Sequence, residues 1–452
     1  MVATTAPEQA RPTRAAGAAL GAAALGLVLA GLLYRFPPSL ALALVGGTVL
    51  VGALTLAVIR YHAAVALGFA LLGVVLVEPA PADGVLVVVM AIALVSRRFR
   101  LSAVPLPVLV TLGVLAALNL LSAVQVADPE GAASFFVVTL FVAALGLWLP
   151  SYVVTRGRAR LVVRGYLVAA VTSAALGVLA LFAPVPAADV LAEGGRARAL
   201  FQDPNVFGPF LIPALLIVVE EIVQPRLLSA RLMTKGVVAA ILALGVFFSY
   251  SRGAWLNLAV ALLVIGASLS LRRGGGRRAL GLASVAAVAA AVVVGSVAAT
   301  GSGEFLAERA QPQAYDQQRF SGQRAGIESA LRYPFGAGPG QFESIAQISA
   351  HSTYARVLGE QGFPGLATLL VLFLFTLGAA ARNVALGRGT YGVGSAALLG
   401  AWCGLLANSF FVDTLHWRHL WIVAALVWAG TMRRYAPGTP TPSGSRAGGA
   451  RE

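Results

Sequence analysis

The chain has 452 residues, of which 58% are hydrophobic and only 11% charged, and its net charge is +15. Its mean hydropathy of +0.84 is far above that of a soluble domain, and apolar runs recur at close to the roughly 20 residues that a hydrocarbon core requires. The cations do not indicate nucleic acid, because they are spread through short loops rather than gathered on one face. The apolar runs lack the two-residue alternation of a membrane barrel. They are read as an all-α, polytopic membrane protein, the helix being the open-ended element that satisfies its own backbone in lipid.

In chain order, a segment at 1–15 carries Arg11 and Arg14 and leads into an apolar run at 16–34. That run is read as an uncleaved first span rather than a signal peptide, since many spans follow. Further spans are expected at 39–59, 63–78, 83–96, 103–123, 134–154, 161–184, 205–223, 236–250, 254–271, 279–299, 364–384, 391–410 and 418–432. The third and fourth are short, and as a broken or re-entrant pair they would reduce the count of about 14 to 12. Lysine and arginine favour cytoplasmic loops. With the N-terminus inside, 23 of the 33 cations fall in cytoplasmic segments and 14 of the 18 acids outside. The expected organisation is a cytoplasmic N-terminus (1–15), a transmembrane helical domain (16–299), one large extracytoplasmic loop (300–363), C-terminal transmembrane helices (364–432) and a disordered cytoplasmic tail (433–452). The single cysteine, Cys403, lies in an apolar run and forms no intrachain disulfide.

One arginine falls on the unexpected side of this map. In "FFSYSRGAWLNLAV", residues 247–260, Arg252 sits between two apolar runs at the extracytoplasmic end. An ionisable residue there is either a site residue or a cation snorkelling to lipid phosphate. Three further segments fall on the same side. "RALFQDPNVFG" (198–208) places Asp203 and Asn205 around a proline, the pattern of a helix cap, with Arg198 as a candidate anion contact. Residues 319–342 carry Arg319, Arg324 and Arg332 ahead of Gly336, Gly338 and Gly340, read as a plain turn or as backbone that closely approaches an anion. "HSTYARVLGEQGFPG" (351–365) starts a helix at His351 that Gly362 and Pro364 stop. A fifth segment, Asn408 to Trp421, contains Asp413, His416, Arg418 and His419 and is read as an interfacial belt anchored by Trp417 and Trp421 or as lining the same cavity. Glu220 and Glu221 are expected to cap the opposite membrane edge.

Taken in order, these motifs resemble the O-antigen ligase and polymerase family. Its members carry an SRGxW-like junction, then an arginine with an aromatic four residues on, P-x-G-x-G, and H-x-x-Y/F with E-x-G. The matching residues are Ser251, Arg252, Gly253 and Trp255; Arg319; Pro334, Gly336 and Gly338; and His351, Tyr354, Glu360 and Gly362. The departure is Gln323, at the aromatic position. The resemblance implies a fold similar to C-type membrane glycosyltransferases, in the plasma membrane, with both termini cytoplasmic. It implies transfer of a glycan from an undecaprenyl-diphosphate-linked donor to a glycan or glycolipid acceptor, with no cofactor, metal or nucleic acid. Arg252 and Arg319 would hold the diphosphate. His351 would act as base or orient the diphosphate. Arg198, Asn205, Arg324, Trp255 and Tyr354 would contact substrate. Arg356 lies on the same loop outside the motif and is expected to matter much less. The alternative is a transporter or flippase of lipid-linked glycans, which would need ionisable residues near the midplane of several spans.

Overall fold

The computed structural model describes residues 40–184, 188–270, 275–301, 303–311 and 314–432. The expected N-terminal segment, first span and tail lie outside the described residues. The apolar runs fold as helices, in the order α1 (Leu40–Ile59), α2 (Tyr61–Ala70, extended by a 3-10 turn to Gly73), α3 (Pro81–Val95), α4 (Leu106–Ser122), α5 (Pro129–Tyr152) and α6 (Arg156–Phe182). A short α7 (Ala188–Leu191) and a two-stranded hairpin, β1 (Ala192–Glu193) and β2 (Arg196–Ala197), precede α8 (Pro204–Val223), α9 (Leu232–Phe248) and α10 (Arg252–Ser270). Then come α11 (Gly275–Thr300), α12 (Gly303–Ala310), α13 (Ala314–Arg332), α14 (Phe342–Ala346), α15 (Thr353–Ala385), α16 (Ser395–Asn408) and α17 (Arg418–Met432).

Starts follow the capping chemistry in the sequence. Asp128, Thr155, Asp203 and Ser352 each accept a backbone N–H of the helix they precede, and Pro129 and Pro204 sit where a missing N–H costs nothing. Among the described residues, five helices are long and apolar enough to cross a membrane: α5, α6, α8, α10 and α15. In α8, 83% of the apolar window is buried, against 33–39% in the other four, so α8 is the central pillar.

The loops sort into two groups at opposite ends of the bundle. At one end, the 74–83 stretch meets Leu200 and Arg418, Asp128 meets Gln341, and the 249–251 turn meets Arg196. At the other, Arg100 meets Ser151, and Arg160 meets Leu227. The short helices α2 and α3 each run between the two ends as an up-and-down pair.

Among the described residues of 300–363, most are helical. The helix that follows His351 ends at Gly362, as expected, with a non-helical backbone at φ 67°, ψ −166°, and a second helix leads on across this kink into the next span. Glu220 and Glu221 are buried at the second end and cap backbone there. Glu220 accepts Ala397 N–H at 2.6 Å, in the first turn of α16, and Glu221 accepts the N–H groups of Arg226, Leu227 and Leu228 while pairing with Lys235 at 3.2 Å.

Helices α10 and α16 run antiparallel in close contact, with the buried side chains of Asn257 and Asn408 between them and the rest of the seam formed by glycine and alanine. A methyl group added at Gly253 would meet Asn408 at 2.7 Å, at Gly404 the Asn257 carbonyl at 2.6 Å, and at Gly400 the Ala261 carbonyl at 2.8 Å. Each helix contributes every fourth residue to this seam, the small-residue spacing that lets backbones approach closely in a membrane. It sets the α10 N-terminus, with Arg252, against the α16 C-terminus.

Candidate active site at the first end of the bundle

The SRG junction is a capped turn. Ser251 accepts the Ala254 N–H at 3.3 Å and so starts α10 with Arg252 in its first turn. Tyr250 takes a left-handed backbone (φ 45°) and packs edge-on against Phe305 at 4.6 Å. Arg252 reaches over the junction and donates to the Gln311 carbonyl at 3.2 Å, between α12 and α13. Trp255 turns back, stacking on Phe247 and donating to its carbonyl at 3.3 Å.

Three motif segments meet one short strand of chain, residues 408–414. Gly253, next to Arg252, lies against Asn408. Gln323 on α13, one turn after Arg319, donates to the Phe410 carbonyl at 3.0 Å. The departure from an aromatic at this position is therefore met by a polar tether. Thr353, two residues after His351, donates its N–H to Ser409 at 2.9 Å, and its hydroxyl contacts Asp413 and Thr414 at 3.2 and 3.1 Å. His351 itself is half-buried with a left-handed backbone (φ 44°).

Behind His351 is an ion cluster that the sequence reading missed. Arg356, expected to be a bystander, is buried and pairs with Glu343, with Glu360 at 2.9 Å and with Asp413 at 2.5 Å. Its guanidinium also lies over the Phe135 ring at 5.3 Å. The Glu360 spacing of four residues was visible in the sequence, but Glu343 and Asp413 come from other elements.

The glycine-rich turn acts as a cap for the α15 kink. Ala337 and Gly338 donate to the carbonyls of Gly359 and Glu360 at 3.0 and 2.9 Å, and Phe363 donates to that of Pro334 at 3.1 Å. Gly336 (φ 93°) passes so close that a methyl group would fall 2.2 Å from the Glu360 carbonyl. Those two amides are thus used on α15 rather than turned to an anion.

The remaining predicted residues are placed as follows. Arg198 is held on its own loop by Glu193 at 3.4 Å and by the carbonyls of Val190 and Gln202. Asn205 accepts from Arg196 at 3.0 Å, and Arg196 also reaches the Ser249 carbonyl at 3.0 Å, beside the SRG turn. Arg196 is thus nearer to the junction than the predicted Arg198. Arg324 is exposed and pairs along its helix with Glu328. Tyr354 donates to the Leu406 carbonyl at 3.0 Å.

The belt reading of the 408–421 segment does not hold. Trp417 and Trp421 are buried, and Arg418 forms a two-pronged ion pair with Asp83. Asp413, His416 and Trp417 instead line a cavity of about 180 Å³ with Glu78 and Gln202. His416 bonds Thr139 at 2.8 Å, and burial, partly offset by Asp413, pushes its pKa down to about 4.

Residues 237–370 match the family model described as O-antigen ligase. That segment is similar to the O-antigen ligase domain. No curated protein matches the chain. The matched segment runs from α9 to the first half of α15 and contains Arg252, Arg319 and His351, whereas the 408–414 strand they approach lies outside it. The match and the apolar helices together indicate a membrane protein with a segment similar to O-antigen ligases, a family of polysaccharide biosynthesis.

Proposed function

We propose that the protein transfers a glycan from an undecaprenyl-diphosphate-linked donor to an acceptor sugar on the extracytoplasmic face, as an O-antigen ligase or surface-polysaccharide polymerase, without a metal. The observation that carries this is the meeting of the Arg252, Arg319 and His351 segments on the 408–414 strand at one end of the bundle. The acceptor hydroxyl oxygen bonds the anomeric carbon as that carbon's bond to the diphosphate oxygen breaks. Negative charge grows on the departing lipid diphosphate. Arg252 and Arg319 meet that charge with planar, permanently ionised forks, and a contact that strengthens towards the transition state lowers the barrier. His351 takes the acceptor proton, since imidazole titrates near neutrality.

The test is glycan transfer in proteoliposomes, with donor affinity measured in parallel. His351→Ala should slow transfer and leave donor binding largely intact; a matching loss of donor affinity would make the histidine a diphosphate contact instead. Chelator should leave the rate unchanged. For orientation, Ser344→Cys and Ser96→Cys in a Cys403→Ala background mark the two ends. Ser344→Cys should react with an impermeant reagent in intact cells and Ser96→Cys should not; the reverse pattern would sink the proposed orientation.

A further inference from the structure

The largest cavity so far unassigned lies at the other end of the bundle and has a volume of about 650 Å³. Helix α5 measures the separation. Its start is tied to the candidate site through the Asp128–Gln341 bonds, its end at Tyr152 lines this cavity, and 24 helical residues span about 36 Å. The cavity is basic and aromatic. Arg98, Arg100, Arg158 and His62 line it, and among the described residues no carboxylate does. Tyr61, His62 and Tyr152 pack against one another with ring centres 5.7–6.1 Å apart. Arg98 lies over the Tyr61 ring at 5.7 Å and Arg158 over the Tyr152 ring at 5.5 Å. His62 Nδ1 and the Tyr152 hydroxyl are 2.9 Å apart. Arg100 is fixed by its backbone, which exchanges bonds of 3.0 and 2.9 Å with the Ser151 hydroxyl.

Positive loops at one membrane face are ordinary. That bias accounts for the number of arginines and not for their convergence on a cavity. Cations elsewhere at this end turn to other protein partners, Lys235 to Glu221 and Arg160 to the Leu227 carbonyl, while in the cavity Arg158 also donates to the Tyr152 carbonyl at 3.4 Å. Stacking on a ring occupies the face of a guanidinium and leaves its in-plane N–H groups for an oxyanion. Ala103, Val153, Val154, Ala429 and Met432 form an apolar part of its wall. The volume far exceeds that of a bare phosphate and falls within the range of amphiphile-sized sites.

We propose that this cavity binds a phosphate-bearing anion, with the headgroup of an anionic phospholipid as its source: phosphate against Arg98, Arg100 and Arg158, glycerol and the first chain carbons along the apolar wall. Such basic pockets between helices suit anionic headgroups. The proposal does not depend on the transfer chemistry at the other end.

The test uses the full chain in nanodiscs of phosphatidylcholine containing a minor fraction of phosphatidylglycerol, with bound lipid counted by native mass spectrometry. Wild type should retain phosphatidylglycerol. Arg98→Gln with Arg158→Gln should lower retention by roughly tenfold or more, because each arginine beside an anionic headgroup strengthens binding severalfold. Arg98→Gln alone, at an exposed position, should lower it severalfold with an unchanged melting temperature. Arg164→Gln, exposed on α6 and outside the cavity, should leave retention at the wild-type level. Displacement of the lipid by inorganic phosphate would keep the site and assign its anion to a soluble source. Equal retention by wild type and the double variant would overturn the proposal, as would a wild-type chain that neither retains phosphatidylglycerol nor is stabilised by inorganic phosphate.

Discussion

The two ends of the bundle use the same residue type in opposite ways. At the ligase end, Arg356 and Arg418 are neutralised by carboxylates from distant parts of the chain, and the positive charge is spent on holding elements together. At the other end, Arg98 and Arg158 lie over aromatic rings around a cavity that, among the described residues, no carboxylate lines. Sequence shows the sign of a charge and, through topology, its side. Only the partners separate an arginine that builds the fold from one that can meet a ligand.

The comparison breaks most readily at Arg356. Truncating one member of a buried ion cluster leaves the others uncompensated at a cost of about 3–5 kcal/mol. Arg356→Ala should therefore lower the melting temperature sharply and reduce transfer with it, and a variant of normal stability would remove the cluster's structural role. Next is Arg252. If it grips the diphosphate in the transition state, both Arg252→Lys and Arg252→Ala should lose roughly 10²–10³ in transfer rate at near-normal stability. Near-normal transfer by both would return it to the class of lipid anchors. Gly404→Ala should cost about 1–3 kcal/mol by overpacking the α10–α16 seam, read as a lower melting temperature. His416 gives a pH-dependent effect. Its folded pKa, near 4, lies below the ordinary 6.5, so the unfolded chain binds the extra proton first. Stability should be full above about pH 6.5 and fall as pH drops from there towards 4, and His416→Asn should flatten that fall in a thermal-shift series. The smallest effect belongs to Arg324→Ala: an exposed pair of this kind is worth within about 0.5 kcal/mol, and transfer should stay near wild type unless Arg324 touches substrate.

The helices were legible because their signal is local. Apolar runs ended by arginine, glycine or proline gave spans whose bounds fall within a few residues of α5, α6, α8 and α17. The SRG junction and the His351 helix start were legible for the same reason, since Ser251 and Ser352 cap the residues directly after them. What stayed hidden was non-local. Asp83 and Arg418 are 335 positions apart. The glycines around 336–340 read as a plain turn or as an anion cradle, and only the folded chain brings the carbonyls of Gly359 and Glu360 onto the amides of Ala337 and Gly338. Gln323 looked like a defect in a motif until Phe410 supplied its acceptor.

The glycine seam between α10 and α16 has a consequence for how this enzyme sits in lipid. Bilayers differ in thickness, and helices answer by tilting or shifting. Bulky side-chain packing can yield to such a load by changing rotamer, but a seam of glycine, alanine and two fully buried asparagines has little room to do so. The pair must tilt as one rod, and α16 is anchored at its far end by the buried Glu220 carboxylate. Arg252 and the strand beginning at Asn408 therefore keep their spacing in thick and thin membranes alike, and the distance between two halves of the site is set by covalent geometry rather than by the surrounding lipid.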